Sequence, residues 1–224
     1  MSILAAVGLK REARIVESGE VRAVVGGGDS SFLDRQLRAA AAPETRGIVS
    51  IGVAGALSAA LEVGDVVIGA RVIAGERIYD ADIRWTSAIA QKLTPSTPVA
   101  TVAGSDVLAA TAEEKAALRS RAHGAWAVDM ESQVAASVAT ELGIPFAVVR
   151  VTSDPSWQSL PPAARVAMRR DGGISYCRVL LSVLGNPGQI PALIRTGQDS
   201  EKAFAALLHC CQALGPGLGC PYLA

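Results

Sequence analysis

Acidic side chains stand at the ends of two apolar segments that are predicted to be buried strands. Asp129 and Glu131 come at and just after the end of Ala125–Asp129, and Asp154 comes just after Pro145–Val151. A carboxylate at such a junction costs desolvation energy unless it has a partner or a chemical role. If the two strands are parallel neighbours, Glu131 and Asp154 meet at one rim of a sheet, where carboxyls can perform acid–base chemistry. The alternative is structural: Asp154 opens an Asx turn, and Asp129 or Glu131 is an acid favoured at a helix N-terminus.

Glycines end two other predicted strands, in the segments Gly26–Gly28 and Gly52–Gly55. Glycine at the carboxyl end of a strand lets backbone N–H groups approach an anion or a ring closely. Neither segment has the G-x-G-x-x-G pattern and no Walker A lysine follows, which disfavours a dinucleotide site or a P-loop. The alternative is that each glycine only serves a tight strand-to-helix turn.

The elements that must position these residues alternate between short apolar runs and segments with helical spacing, which is typical of an α/β fold. Most of the runs are apolar throughout, so we expect central strands that are covered on both faces. No repeat or linker divides the chain, and one domain is expected over 1–224. The predicted strands are Ile3–Gly8, Val21–Gly26, Gly47–Gly52, Asp65–Ala74, Pro98–Gly104, Ala125–Asp129 and Pro145–Val151.

Capping and breaking residues mark the predicted helices. One helix starts at Asp29 or Ser30 and runs to about Ala41, and a capping box of Thr111 and Glu114 starts another. A third follows Asp129 and ends at Gly143. After Pro162 the pattern is helical almost to the end, with breaks predicted near Gly185–Pro187 and Thr196–Asp199 and an irregular tail over Gly215–Ala224.

The composition excludes several classes of protein. The 21 Lys and Arg residues balance 21 Asp and Glu, so the chain lacks the positive field of a nucleic-acid binder. No apolar run approaches the ~20 residues of a membrane span, and we expect a cytoplasmic protein. The four cysteines lack a C-x-x-C pair, so we expect reduced, mostly buried thiols. With only two histidines, no metal site is expected.

Four segments resemble the nucleoside phosphorylase and methylthioadenosine/S-adenosylhomocysteine nucleosidase superfamily in order and spacing. They are Gly52–Gly55, Leu61–Val67, Val128–Glu131 and Val149–Asp154. The resemblance implies a three-layer α/β/α fold with a central mixed, mostly parallel sheet. It also implies an enzyme that cleaves the N-ribosidic bond of a purine nucleoside without a cofactor. Gly8–Ala13, Asp154-Pro155 and the helical tail are most similar to the hopanoid-associated phosphorylase branch, which is associated with removal of adenine from adenosylhopane.

The resemblance assigns roles to the acidic residues. Asp154, its carboxyl made more basic by burial, would donate a proton toward N7 of adenine. Glu131 would accept hydrogen bonds from the ribose 2′ and 3′ hydroxyls, Met130 would pack against the sugar, and Ser153 would position Asp154. The remaining residues implied to line the substrate site are Val53, Ala54, Gly55, Val107 and Leu108. For Val107 or Leu108 alone, an ordinary core position is the favoured alternative.

The sequence leaves two candidate nucleophiles, water and inorganic phosphate. Glu12 corresponds to the glutamate that activates water in the nucleosidases; alternatively it is an exposed first-turn helix residue. The branch resemblance favours phosphorolysis slightly, with inorganic phosphate as co-substrate near Gly27, Gly28 and Arg35. Ser50 and Val53, however, stand where phosphorylases of this superfamily have an arginine and a serine. A binding module that has lost turnover is a further alternative.

An apolar 5′ substituent would need an apolar rim. In the loop that follows Asp154, Trp157 and Leu160 are candidates for this contact, although the loop could equally be a stiff connector whose tryptophan packs on the core. The apolar segments Val179–Leu184 and Phe204–Leu208, with Arg169–Arg170 nearby, permit a peripheral membrane contact, whereas core packing or a homodimer interface is the more usual role of such segments.

Overall fold

The computed structural model describes residues 2–166, 171–173 and 175–223. Arg169 and Arg170, which the sequence suggested for a membrane contact, therefore lie outside the described residues. The strands are β1 Ser2–Val7, β2 Val21–Val25, β3 Thr45–Ala56, β4 Val66–Ala74, β5 Arg77–Asp80, β6 Val99–Gly104, β7 Ala127–Asp129 and β8 Phe146–Asp154.

The strands form one mixed sheet in the order β2-β1-β3-β7-β6-β4-β5, and β8 bridges β3 and β4. β1 pairs with β2 and β3 in parallel, β3 with β8, and β6 with β4 and β7, whereas β7 is antiparallel to β3, and β4 is antiparallel to β5 and β8. The sheet is thus mostly parallel, and β3, β7, β6, β4 and β8 close on one another. This confirms the predicted fold class.

Helices flank the sheet, and polar caps fix several of their ends. Asp29 accepts a hydrogen bond from the N–H of Phe32, and Thr111 and Glu114 form the predicted capping box. Gly143 ends its helix in a left-handed conformation. The helices are α1 Lys10–Val16, α2 Ser30–Ala40, α3 Ile83–Lys92, α4 Ala112–Arg121, α5 Ser132–Leu142, α6 Pro162–Arg165, α7 Tyr176–Gly185 and α8 Ile190–Leu214.

Two hydrophobic cores cover the two faces of the sheet. Along β1, Ile3, Ala5 and Val7 face a core that includes Phe204 and Leu207 of α8. The intervening β1 residues face a second core, which is closed by α2 and α5. This alternation explains why the central strands are apolar on both sides and gives the three layers.

The structure corrects three predictions. It adds β5 and α3, which the sequence analysis missed, and α8 runs through Thr196–Asp199 without the predicted break. The helix tolerates Gly197 because the buried stripe further along α8 holds it against the sheet. β7 and β8 are not parallel neighbours, since β3 lies between them and runs antiparallel to β7.

The cysteines follow the prediction in part. Cys210 and Cys211 are buried, Cys220 is half-buried, and Cys177 is exposed; all four are free thiols. Of the helices in the described part of the chain, none combines the length and the apolarity needed to cross a membrane. Within the same residues, no group of three His, Cys, Asp or Glu side chains is arranged to hold a metal ion.

Candidate functional site

A cavity of about 230 Å³ lies where the end of β3, the β7–α5 junction and the end of β8 meet the β1–α1 turn. Three carboxyls that the sequence singled out, those of Glu12, Glu131 and Asp154, line this one cavity. Its other lining residues are Gly8, Leu9, Val53, Ala54, Gly55, Val107, Leu108, Ala109, Val128, Asp129, Met130, Ser153, Leu160, Ala164, Thr196 and Ser200.

The register of β3 explains how Glu131 and Asp154 reach the same space. Gly55 of β3 lies opposite Val128 of β7 on one side and Asp154 of β8 on the other. A Cβ on Gly55 would lie 3.2 Å from Asp154 Oδ2, so glycine leaves room for the carboxylate. The two acids are therefore brought together by a shared neighbour, and not by direct strand pairing.

Glu12 is only 2% exposed, so the alternative of an exposed first-turn residue is wrong. Its Oε2 accepts hydrogen bonds from the N–H groups of Gly8 at 2.8 Å and Leu9 at 2.7 Å, and its Oε1 accepts one from Val53 at 2.7 Å. A carboxylate offers about four acceptor sites, so Oε1 keeps one for a further donor such as water. A Cβ on Gly52 would lie 2.4 Å from this oxygen, and only glycine allows the approach.

Asp129, Glu131 and Arg150, together with Glu12, form what we call the arginine cluster. Arg150 is fully buried; its Nε lies 2.7 Å from Asp129 Oδ2 and its Nη1 lies 3.7 Å from Glu131 Oε2. Its Nη2 donates to the buried Ser50 hydroxyl, so Ser50 packs in the interior. Asp129 Oδ1 also accepts from the N–H groups of Glu131 and Ser132 at the start of α5, which matches the structural alternative for Asp129.

The arginine cluster contains three carboxyls and only one cation, and the pKa values of two of these carboxyls are raised. Burial raises the pKa of Glu131 to about 8, and Arg150 opposes this rise only in part. Burial also raises the pKa of Glu12, against the three backbone hydrogen bonds and the charge of Arg150. The cause in both cases is desolvation, which disfavours the charged form. Burial therefore favours the protonated form of Glu131 near neutral pH.

Asp154 belongs to a second group, the lysine cluster, with Lys115 and Ser153. The ammonium of Lys115 forms an ion pair with Asp154 Oδ2, and both side chains are nearly inaccessible. Ser153 Oγ lies 2.6 Å from Asp154 Oδ1 and 3.1 Å from the carbonyl oxygen of Ala54. Asp154 is thus held by the Lys115 side chain of α4 and by its neighbour Ser153, which differs from the Asx-turn alternative.

Some predicted site residues lie elsewhere. Trp157 is 68% exposed and borders a different depression beside α4, while Leu160 of the same loop lines the cavity. Gly27 and Gly28 form the β2–α2 turn, where the N–H of Gly27 donates to the carbonyl of Gly8. Arg35 borders a separate surface depression. The predicted phosphate ligands are therefore not assembled at the cavity.

Sequence reasoning missed the two cations. Arg150 stands in an apolar strand, where a buried charge needs a partner, and this position alone was a signal. Lys115 shares one face of α4 with Leu118 and the buried Ala122, at spacings of three and seven residues. A lysine on the apolar face of a helix is the pattern that could have identified it.

A comparison with curated protein sequences returned no match. The fold is similar to that of the methylthioadenosine/S-adenosylhomocysteine nucleosidase of S. pneumoniae, in a structure with the transition-state inhibitor MT-ImmA. The identity is 17% and the TM-score 0.66, over 96% of this chain and 100% of that one.

Two further solved structures share the fold. Futalosine hydrolase of Helicobacter pylori strain 26695 is 14% identical, with a TM-score of 0.66 over 96% of this chain and 97% of that one. The methylthioadenosine/S-adenosylhomocysteine nucleosidase of Neisseria meningitidis, in complex with methylthio-immucillin-A, is 16% identical, with a TM-score of 0.62 over 95% and 97%.

Comparison with protein families matches residues 10–159 to the phosphorylase superfamily. The matched residues include Glu12, Glu131 and Asp154 and make up more than half of the chain. The chain therefore belongs to the phosphorylase superfamily.

Proposed function

We propose that the protein is an enzyme that cleaves the N-ribosidic bond of an adenine nucleoside. The observation that carries this proposal is that Glu12, Glu131 and Asp154, from three separate elements, line one cavity. The names of the structural neighbours, two nucleosidases and a hydrolase, agree with this reaction class.

The reaction needs opposite charges stabilised at two places. As the bond breaks, positive charge grows on the ribose and negative charge on the base. The site must therefore stabilise the cationic sugar and protonate the departing base. We assign Glu131 to the ribose hydroxyls and the developing positive charge, with Met130 against the sugar. Asp154 passes a proton to N7 of adenine, with Ser153 on its other oxygen. This chemistry uses no cofactor.

We propose water as the nucleophile, activated by Glu12. Among the described residues that line the cavity, four are acidic and none is Arg, Lys or His. A phosphate dianion would meet these carboxyls without a cation in contact with it, and the electrostatic cost favours a neutral nucleophile. The free acceptor site of Glu12 Oε1 and the raised pKa of this carboxyl suit a general base. Phosphorolysis, which the branch resemblance favours, becomes the alternative outcome of the test.

We propose an apolar 5′ substituent on the substrate, and adenosylhopane as the extreme case. Leu9, Leu160 and Ala164 give the cavity an apolar wall, and Val107 at its rim is 73% exposed. When a hydrocarbon covers solvent-exposed apolar surface at a cavity mouth, the free energy of binding becomes more favourable by roughly 25 cal/mol per Å² of surface buried.

Exposed apolar residues of α7 and the start of α8, which we call the leucine face, support a contact with an anionic lipid surface. No acidic residue occurs between Asp171 and Asp199, whereas Arg178 and Arg195 are exposed there. This stretch of the chain combines exposed apolar side chains with exposed arginines and no acidic residue, which suits a lipid bilayer with anionic headgroups. The exposed residues of the leucine face are Leu180, Leu181, Leu184, Ile190 and Ile194.

Vesicle binding tests this contact. We expect the protein to sediment with vesicles that contain an anionic phospholipid, and the Leu181→Ser/Leu184→Ser variant to stay in solution. If the same variant instead dissociates a dimer that forms without lipid, the leucine face is the dimer interface and the lipid contact is excluded.

Product identification tests the enzymatic proposal. The purified protein is incubated with 5′-methylthioadenosine and with a 5′-alkylated adenosine, each with and without inorganic phosphate. We expect adenine and a free ribose derivative at the same rate in both buffers, and faster release from the alkylated substrate. A phosphate-dependent rate with a ribose 1-phosphate product would establish phosphorolysis. Absence of adenine from both substrates, in a protein that still binds them, would favour the binding module.

A further inference from the structure

Lys115 is the buried cation of the lysine cluster, and its side chain is 1% exposed. Its ammonium donates to Asp154 Oδ2, to the carbonyl of Pro155 at 2.8 Å and to the carbonyl of Gln158 at 3.0 Å. These bonds use all three hydrogens of the ammonium. The capping box at Thr111 and Glu114 fixes the helix start from which Lys115 extends. The ammonium is therefore held in one position against the carboxylate.

Burial of an ion pair is expensive and by itself contributes little to stability. A connector loop could be held at Pro155 and Gln158 by neutral donors at a lower desolvation cost. The partner that requires a cation is Asp154, which lines the cavity. The ammonium that is hydrogen-bonded to Asp154 Oδ2 carries a proton in direct contact with this carboxyl. Under the proposed function the departing adenine must receive a proton through Asp154.

We propose that Lys115 is a positioning residue that supplies this proton through Asp154, an inference that rests on the proposed function. As the C1′–N9 bond breaks, its electron pair goes to the base. The proton moves from Lys115 Nζ to the Asp154 carboxylate and from Asp154 to N7 of adenine. Lys115 is left as a neutral amine and Asp154 as a carboxylate, while the attacking water gives its proton to Glu12. After the products leave, solvent reprotonates Lys115 and Glu12 releases its proton.

The leaving group separates this role from a structural one. A 4-nitrophenyl riboside with the same 5′ group departs as a stable anion and needs no proton, whereas adenine needs one. For Lys115→Met we expect kcat on the adenine nucleoside to fall by about 10²–10⁴-fold, the range of general acid catalysis. Turnover of the nitrophenyl riboside should stay near that of the wild type. Lys10→Met, which removes an exposed ion-paired lysine, should leave both rates unchanged.

Lys115→Arg keeps the charge and serves as the second variant if Lys115→Met does not fold. A guanidinium gives up a proton far less readily than an ammonium, so we expect slow adenine release and preserved nitrophenyl turnover. Equal losses on both substrates for a folded variant would overturn the proposal, and so would adenine release at the wild-type rate by either variant. If the wild-type protein releases neither adenine nor nitrophenol, the proposed function itself fails, which is a different result.

Discussion

Carboxyls of the arginine cluster and of the lysine cluster line the same cavity, but their cationic partners differ. In the lysine cluster one carboxylate has a dedicated ammonium, and a serine holds its other oxygen. In the arginine cluster one guanidinium faces three carboxyls and lies closest to Asp129, so Glu131 and Glu12 are poorly compensated. Their pKa values rise, because buried charge without a close partner is costly. The two glutamates thus have a raised pKa because they are buried and share a single cation with a third carboxyl.

Removal of the shared cation should have the largest effect. Arg150→Met leaves Asp129 buried without a counter-ion, and we expect the free energy of unfolding to fall by about 3–5 kcal/mol, as measured by urea denaturation. Arg38→Met is the control, because Arg38 also pairs with two carboxylates but at the surface, and we expect little change. Equal stability of the two variants would show that Arg150 is not the cation on which the cluster depends.

Crowding of Glu12 tests its positioning. In Gly52→Ala the new Cβ would meet Glu12 Oε1 at 2.4 Å, so the carboxylate must move by an ångström or so. A displacement of about 1 Å can cost roughly 10²-fold in turnover, and we expect a loss of that order in kcat for adenine release. Gly19→Ala, where a Cβ meets no atom within 4 Å, should retain the wild-type rate. A Gly52→Ala protein of normal activity would remove Glu12 from the mechanism.

The raised pKa of Glu131 should be visible in the pH dependence of stability. The folded protein keeps this proton up to about pH 8, whereas the unfolded chain loses it near the ordinary value of 4.5. The folded state binds more protons between these values, so this contribution to stability is complete below about pH 4.5 and is lost as the pH rises through 8. We expect a slope of up to about 1.4 kcal/mol per pH unit.

Urea denaturation from pH 5 to pH 9 measures this slope. Glu131→Gln should flatten it, whereas Glu141→Gln, at the surface beside Arg38, should leave it unchanged. A wild-type slope that Glu131→Gln does not alter would place the titration on another group.

The smallest effect is expected in the lysine cluster, for Ser153→Ala. This change removes the hydroxyl 2.6 Å from Asp154 Oδ1 but leaves the ammonium in place. Loss of a hydrogen bond to a charged group costs about 1.5–3 kcal/mol, and because the ammonium stays we expect the lower end, which corresponds to roughly tenfold in kcat. Ser137→Ala, whose hydroxyl faces the exposed Glu141, should have no effect on turnover and provides the matched control.

The sequence was most informative where a local rule applied. The seven predicted strands, the Asp29 cap, the capping box before α4 and the glycine end of α5 all appear in the structure. β5 and α3 were missed, although Asp82 accepts from the N–H of Trp85 and was a readable helix start. Helix propensity alone predicted a break at the polar stretch Thr196–Asp199, which is wrong. Propensity does not account for the packing that holds α8 against the sheet.

The sequence predicted the acidic residues of the candidate site but not its two cations. Glu131 and Asp154 were expected at one rim, and they do share a cavity, but through β3 and not as strand neighbours. Lys115 lies 39 residues before Asp154 in the sequence, so no local pattern could pair them. The catalytic roles, the single domain and the cytoplasmic location stay predictions.

Adenine release in phosphate-free buffer tests most directly whether Glu12 activates water and Asp154 protonates the departing base. The wild-type protein, Glu12→Gln and Asp154→Asn are compared on 5′-methylthioadenosine, with folding checked by circular dichroism and substrate binding by calorimetry. We expect steady release by the wild type and kcat lower by about 10²–10⁴-fold in each variant, with binding largely retained. Release by both variants at close to the wild-type rate would contradict the assignment of Glu12 to water and Asp154 to the departing base.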